Sequence, residues 1–266
     1  MTISEPGTAS DALRFDGVTL DFPGSPRPAI EGVSLRVARR KFVAVIGPSG
    51  CGKSTILNLA AGLLRPTKGE VYFDGEPTEG VNSAAAYVTQ AANLLPWLTV
   101  RSNMGLALKF RNVPRNERAA KIDHWLEVVG LTRFADQYPR ELSGGMQKRV
   151  SIARALIYDP SIVLMDEPFG PLDAITRLKL QQDLLNLWEE QNGTLVFVTH
   201  DLNEAIYLAD EVVVMSNGPG TVRRVLPVPF KRPRDIGSLI ESPEFSELYN
   251  DLWSLFKAEL DLSDAA

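Results

Sequence analysis

The stretch GPSGCGKST occupies residues 47–55 and directly follows the apolar run FVAVI at residues 42–46. It fits the spacing G-x-x-x-x-G-K-[ST], which is typical of a phosphate-binding loop when a strand precedes it and a helix follows it. Glycine lets backbone N–H groups approach phosphate oxygens closely, and the N-terminus of the following helix adds free N–H groups and partial positive charge. The stretch therefore predicts a nucleoside triphosphate site.

Three side chains of this loop have separate predicted roles. Lys53 would reach the β- and γ-phosphates, Ser54 would ligate Mg²⁺ through its hydroxyl, and Thr55 would add a phosphate contact. The alternative is a Gly/Ser-rich turn without a ligand, which the flanking strand and helix make less plausible. The residues assigned to nucleotide binding in this loop are Gly47, Pro48, Ser49, Gly50, Cys51, Gly52, Lys53, Ser54 and Thr55.

Two further apolar runs end in residues that suit phosphate chemistry. IVLMDEP at residues 162–168 ends with Asp166, which could hold a Mg²⁺-bound water, and Glu167, which could act as general base toward the attacking water. VFVTH at residues 196–200 ends with His200, which could hydrogen-bond a γ-phosphate or that water. Taken alone, the two acids could simply meet solvent at a strand end, and the histidine could be structural.

Composition and charge limit the class of protein. The chain has 266 residues, 28 Lys and Arg against 33 Asp and Glu, and a net charge of −5. The acidic balance argues against nucleic acid as a partner. With one cysteine, Cys51, no internal disulfide can form, and a reducing compartment is expected. The N-terminus does not resemble a signal peptide, and no apolar run has the ~18–20 residues of a membrane helix.

The order of apolar patterns predicts an α/β fold with a mixed sheet. Alternating patterns between residues 13 and 72 predict an N-terminal antiparallel β subdomain, whereas the continuous run at residues 42–46 predicts a strand covered on both faces. Strands separated by helices after residue 160 predict parallel pairing, and residues 93–160 predict an inserted helical subdomain. We expect a flexible N-terminus at residues 1–12, an ATPase domain at 13–228 and a C-terminal connector and helix at 229–266.

A second phosphate motif is predicted at LSGGMQKRVSIARAL, residues 142–156. Ser143, Gly144 and Gly145 precede a helix, and a serine hydroxyl with glycine N–H groups at a helix N-terminus makes an anion site. The alternative is a turn that only caps the helix. Because the first loop already occupies one side of a nucleotide, the second motif is best explained as serving a nucleotide held by another copy in a head-to-tail dimer.

With these motifs the chain resembles the ATP-binding subunits of ABC transporters, a P-loop NTPase family. The resemblance covers nearly all of residues 13–226 and depends on Walker A (GPSGCGKST), a Q-loop (AYVTQ), the signature (LSGGMQ), Walker B (IVLMDEP), a D-loop (GPLDA) and a switch histidine (VTHD), in the family's order. It implies that Phe22 stacks on adenine and that Gln90 senses the γ-phosphate or metal. It also implies that Asp173 acts across the dimer and that Gln147 joins Ser143 and Gly145 in the second half-site. Two departures are Arg40-Lys41, where the family usually has Gly-Glu, and Gly170-Pro171 in the D-loop.

The resemblance also implies partners. Residues 90–97, with Trp97, would receive a membrane-spanning permease subunit, although Trp97 could equally be an ordinary core residue. LLPWLTV, SNGPG and PVPFKRPRD resemble importer ATPases for nitrate, sulfonates, taurine or bicarbonate, which work with a permease and an extracytoplasmic binding protein at the cytoplasmic face of the membrane. Rival interpretations are a soluble ABC-type ATPase unrelated to transport, a P-loop phosphotransferase, and a nucleotide switch without catalysis.

Overall fold

The computed structural model describes residues 11–170, 172–191 and 193–261, which contain two β-sheets and the helices around them. The strands are β1 Asp11–Leu20, β2 Ile30–Ala38, β3 Phe42–Ile46, β4 Lys68–Phe73, β5 Glu76–Pro77, β6 Ala85–Val88, β7 Ile162–Asp166, β8 Thr194–Val198, β9 Glu211–Met215 and β10 Val222–Pro227. The helices are α1 Lys53–Ala60, α2 Val100–Phe110, α3 Arg115–Val128, α4 Gly144–Leu156, α5 Ala174–Gln191, α6 Leu202–Leu208, α7 Ile236–Ile240 and α8 Pro243–Asp261.

The first sheet is antiparallel and has the strand order β2-β1-β4-β5. Phe15 of β1 pairs with Leu35 of β2 on one side and with Val71 of β4 on the other, and all three side chains are buried. Alternation of buried and exposed positions along β2 places one face on the core and the other toward solvent. The expected antiparallel β subdomain is therefore confirmed.

The second sheet is mixed and has the strand order β10-β9-β3-β8-β7-β6. Neighbouring strands from β9 to β6 pair in parallel, and β10 joins the edge antiparallel to β9. In the central strand β3, Phe42, Ala44 and Ile46 face one hydrophobic cluster. Val43 and Val45 face a second cluster, which lies between the two sheets. This two-sided burial explains the continuous apolar run and confirms the predicted mixed α/β sheet.

Helices α2, α3 and α4 lie between β6 and β7 in the chain and pack over one face of the mixed sheet. On α3, Ile122, Trp125 and Leu126 are buried, as their spacing predicts. Gly130 ends this helix with φ 68°, and its N–H donates to the carbonyl of Glu127 at 3.0 Å. The predicted glycine cap is thus confirmed.

The C-terminal segment is fastened to the α/β core by two arginines, of which Arg234 is buried. Arg234 donates to the carbonyls of Tyr207 and Ala209 at 3.2 and 2.7 Å, at the end of α6, and burial lowers its pKa to about 10. Arg232 pairs with Asp210 at 2.9 Å and lies over the ring of Trp188. Beyond this extended connector, α7 is a short helix that the sequence patterns did not indicate, and α8 agrees with the predicted terminal helix.

Among the helices that the structure describes, none combines the length and apolar character required to cross a lipid bilayer.

Candidate functional site

The phosphate-binding loop connects the end of β3 to the start of α1. Gly50 and Gly52 have φ values of 80° and 91°, a backbone conformation that favours glycine. A Cβ on Gly52 would also clash with Ile30, and one on Gly47 would lie 2.6 Å from Cys51 Sγ. The glycines of the motif are therefore required by backbone conformation and by close packing.

Lys53 lies inside this loop, with only 6% of the residue exposed. Its ammonium donates to the carbonyls of Gly47 and Pro48, both at 2.9 Å. Ser49 and Ser54 are exposed. The Cys51 side chain is buried, so only its backbone can face a ligand, and burial raises the pKa of its thiol. The loop thus offers one cation, two exposed serine hydroxyls and backbone donors.

Ser54 and Asp166 meet although they are 112 residues apart. The Ser54 hydroxyl donates to Asp166 Oδ1 at 3.1 Å, because β7 ends at the same edge of the sheet as β3. Burial and the carboxylate of Asp166 raise the pKa of neighbouring Tyr87. Two oxygen ligands so placed fit a small hard cation that retains several waters.

Glu167 lies directly after β7, and its carboxylate contacts two other residues that are predicted to be catalytic. Its carboxylate accepts from Gln90 Nε2 at 3.3 Å and lies 3.3 Å from His200 Nδ1. Its backbone has φ 41°, and its N–H donates to the carbonyl of Val198 at 3.0 Å. The structure therefore brings Glu167, Gln90 and His200 together at the ends of β7, β6 and β8.

A buried carboxylate, that of Glu204, holds the segment next to His200 in place. Glu204 of α6 accepts from Thr199 Oγ1 at 2.5 Å and from Gln181 Nε2 at 3.0 Å. Burial raises its pKa to about 7; the charge of Asp201 also raises it, whereas the Thr199 hydrogen bond, Arg177 and His200 lower it. Asp201 caps α6 by accepting from Asn203 N–H at 2.8 Å. The backbone around His200 is thus held on both sides.

The signature motif lies at the N-terminus of α4. Ser143 is the N-cap and accepts from the N–H of Met146 at 3.3 Å, and Gly144 is exposed. A Cβ on Gly145 would lie 2.6 Å from Thr176 Cγ2, so the motif packs against the start of α5. The amide of Gln147 donates to the carbonyls of Pro139 and Leu142, which shapes the loop before the motif.

Asp173 precedes α5 and caps it, since its Oδ1 accepts from the N–H of Thr176 at 3.0 Å. This hydrogen bond holds the pKa of the Asp173 carboxyl below its ordinary value. Pro171, the departure noted in the D-loop, lies outside the described residues. Within the described ranges, no hydrogen bond or ion pair joins residues 143–147 to residues 47–55.

Two cations that the sequence reasoning missed join α4 to the Gln90 segment. Lys148, 2% exposed, donates to the carbonyls of Thr89 and Gln90 at 2.7 and 3.0 Å, and burial lowers its pKa to about 8. Arg154 donates to the carbonyls of Ala92 and Asn93. The available signal was spacing: Lys148 lies three and four residues before buried Ser151 and Ile152, on the face that packs inward.

The remaining predicted contact residues are accessible. Phe22 is 44% exposed, and Trp97 is 68% exposed, so the alternative of a core tryptophan is wrong. Buried Asn103 holds the turn that contains Trp97. Its amide donates to the carbonyls of Leu95, Leu98 and Thr99. Arg40, one of the two departures, has φ 62°, which explains why glycine suits that position.

Comparison with known proteins agrees with this geometry. Residues 30–170 match the family described as ABC transporter. The nitrate import ATP-binding protein NrtD of Synechococcus elongatus is 46% identical over 257 residues, covering 93% of this chain and 94% of that protein. The taurine import ATP-binding protein TauB of Chromobacterium violaceum is 43% identical over 245 residues, covering 91% and 94%.

Solved structures give the same result. A dimeric ATP-binding cassette in a post-hydrolysis state with ADP and Pi superimposes with a TM-score of 0.73 and 35% identity, over 82% of this chain and all of that one. A family match over more than half of the sequence, relatives above 40% identity along nearly the whole length, and the assembled motifs all point to one assignment. The chain belongs to the ABC transporter family and is one of its ATP-hydrolysing, ATP-binding subunits.

Proposed function

We propose that this chain energises import of a small anionic solute, such as nitrate, a sulfonate, taurine or bicarbonate, through a separate membrane permease. The observation that carries the catalytic part is the Glu167 carboxylate, held between Gln90 and His200 next to the Ser54–Asp166 pair. The solute class is supported by relatives named for nitrate and taurine import.

In the proposed site, residues 47–55 bind the phosphates of ATP, Lys53 offsets their charge, and Phe22 stacks on the adenine. Ser54 and Asp166, with Gln90, would hold Mg²⁺, which would neutralise phosphate charge. Glu167 accepts the proton of the attacking water, and His200 and Gln90 orient that carboxylate and the water. These assignments of individual residues are proposals, as are the domain boundaries at residues 93, 160 and 228. Strand β1 begins at Asp11, so residues 11 and 12 belong to the first sheet and not to the expected flexible segment, the rest of which lies outside the described residues.

A second copy would complete the site. In the described residues, no hydrogen bond or ion pair joins Ser143, Gly144, Gly145 or Gln147 to the phosphate loop. Gly145 packs against Thr176, whose N–H donates to Asp173 at the start of α5. A head-to-tail dimer would place these residues on the nucleotide of the partner. The dimeric cassette described above supports this arrangement.

The permease would dock at residues 90–97, where Trp97 is exposed on a turn that Asn103 fixes. Docking there would hold the chain peripherally at the cytoplasmic face of the membrane, and an extracytoplasmic binding protein would deliver solute to the permease. Nucleic acid is not expected as a partner, because the net charge is −5.

The test is reconstitution of the chain with its permease and binding protein in vesicles that enclose ATP. Solute uptake that requires ATP and is lost in Glu167→Gln supports the proposal. ATP hydrolysis without uptake of any of the four solutes would favour an ATPase unrelated to transport, and a phosphorylated small-molecule product would identify a phosphotransferase.

A further inference from the structure

The end of the C-terminal helix α8 is tied to the β9–β10 hairpin by one carboxylate. Glu259 is only 9% exposed, although it lies close to the end of the helix. It accepts from the N–H of Asn217 at 3.1 Å and pairs with Arg223 Nε at 3.1 Å. Near the end of a helix, a carboxylate that is nearly buried and has a partner on each oxygen differs from a solvated surface charge.

The hairpin that Glu259 holds packs against the back of the phosphate loop. A Cβ on Gly220 would overlap the carbonyl oxygen of Cys51, so the hairpin and the loop are in direct backbone contact. Gly220 also donates to the carbonyl of Ala29 at 3.1 Å and accepts from the N–H of Glu31 at 2.9 Å. The hairpin therefore contacts the loop on one side and the start of β2 on the other.

The hairpin is internally stiff, so a displacement at one end is passed to the other. Ser216 and Thr221 bond across it through backbone and side chain, at 2.9 and 3.0 Å. A Cβ on Gly47 would lie 3.1 Å from Met215 Cβ, which shows that the start of the hairpin also touches the loop. Contacts thus run without a gap from Glu259 to Gly47 and Cys51.

Electrostatic interactions also indicate that Glu259 lies near the phosphate loop. Burial raises the pKa of the Cys51 thiol, the charge of Lys53 opposes that rise, and the carboxylate of Glu259 adds to it. A negative charge near the phosphate loop would disfavour ATP unless it were neutralised. Arg223 provides the neutralising charge at 3.1 Å.

We propose that Glu259 is a positioning residue for nucleotide binding: it fixes the β9–β10 hairpin, and the hairpin fixes the phosphate loop. This inference rests on the ATP site proposed above. The catalytic groups Glu167, Gln90 and His200 follow other strands, so loosening the hairpin should weaken ATP binding and leave the rate of the chemical step nearly unchanged. The C-terminal helix then acts on affinity for ATP without contacting it.

The experiment compares KM for ATP and kcat of the full chain with those of Glu259→Ala. We expect KM to rise about fivefold, the lower range of coupling between linked sites, while kcat stays within about twofold of the unchanged chain. The control is Glu247→Ala, which removes an exposed carboxylate from the same helix and should leave KM unchanged. Glu259→Ala also leaves the charge of Arg223 unneutralised, which by itself favours ATP. Glu259→Asp keeps the negative charge but withdraws the carboxylate from Asn217 by one methylene, so it should raise KM as well, and it also serves if Glu259→Ala does not fold.

An unchanged KM in a folded Glu259 variant would overturn the inference. A parallel loss of kcat and thermal stability with KM unchanged would also overturn it, because that result describes a purely structural residue. Failure of the unchanged chain to hydrolyse ATP would instead refute the proposed function, so the two failures are distinguishable.

Discussion

Replacing Glu204 by Gln should stabilise the folded chain at alkaline pH and have much less effect at acidic pH. Glu204 is a buried carboxyl whose pKa is raised from 4.5 to about 7, mainly by burial. Its partners Thr199 and Gln181 are neutral, and Oε1 of Gln181 is buried without a hydrogen-bond partner. A glutamine at this position removes the buried charge and can donate an N–H to that oxygen.

The sign and size of the effect follow from the two pKa values. Below pH 4.5 the carboxyl is protonated in the folded and unfolded chain, so its ionisation does not affect the free energy of unfolding. Between the two values the unfolded chain loses its proton first, and stability falls as pH rises. Since one pKa unit corresponds to about 1.4 kcal/mol, the full cost is roughly 3 kcal/mol, and about 2.5 kcal/mol of it arises between pH 5 and 8.

The assay is urea unfolding of the unchanged chain and of Glu204→Gln at pH 5, 6, 7 and 8, followed by circular dichroism. The difference in free energy of unfolding between the two proteins should grow by about 2.5 kcal/mol from pH 5 to 8, in favour of the glutamine variant. Asp201, His200 and Arg177 are present in both proteins, so most of their contribution cancels in the difference. Glu127→Gln, at an exposed carboxyl of α3, is the matched control and should give parallel curves. Parallel curves for Glu204→Gln would refute the reasoning.

The proposed catalytic and nucleotide-binding residues give three further predictions. Glu167→Gln should bind ATP and dimerise but hydrolyse it about 100-fold more slowly, because the general base is lost; normal turnover in a phosphate-release assay would remove Glu167 from that role. Lys53→Ala should weaken ATP binding, since phosphate charge loses its buried cation; equal affinity by calorimetry would contradict the loop assignment. Ser143→Arg should leave ATP binding to one copy intact but prevent ATP-driven dimerisation; a normal dimer in analytical ultracentrifugation would count against the half-site in trans.

The sequence predicts the central architecture well, because local patterns and long-range packing agree there. The run at residues 42–46 is apolar at every position, and β3 is indeed covered on both faces. The glycines at 50 and 52 need positive φ, a requirement that is local to the loop. Such features depend on a few neighbouring residues and can be inferred without knowing the rest of the fold.

Other features depend on partners far along the chain and leave little trace in the local sequence. Strand β10 is mostly exposed at the edge of the sheet, so it lacks the apolar pattern that marks β3 and β7. In the sequence, Glu259 cannot be told from any other acidic residue on the exposed face of a helix. Only its contacts with Asn217 and Arg223 distinguish it. The exposure of Trp97 could not be derived either, because its core and surface alternatives differ only in tertiary packing.

The position of Lys148 and Arg154 bears on how hydrolysis and transport could be linked. Both cations lie on α4, whose N-terminus carries Ser143, and both hold carbonyls between residues 89 and 93. A buried cation that lost these carbonyls would leave charged donors without partners, so separating α4 from this segment is costly. The proposed permease surface at residues 90–97 and the proposed second half-site should therefore move together. Movement of α4 toward the nucleotide of a partner would then displace Trp97. The same movement would shift Gln90, which donates to the Glu167 carboxylate.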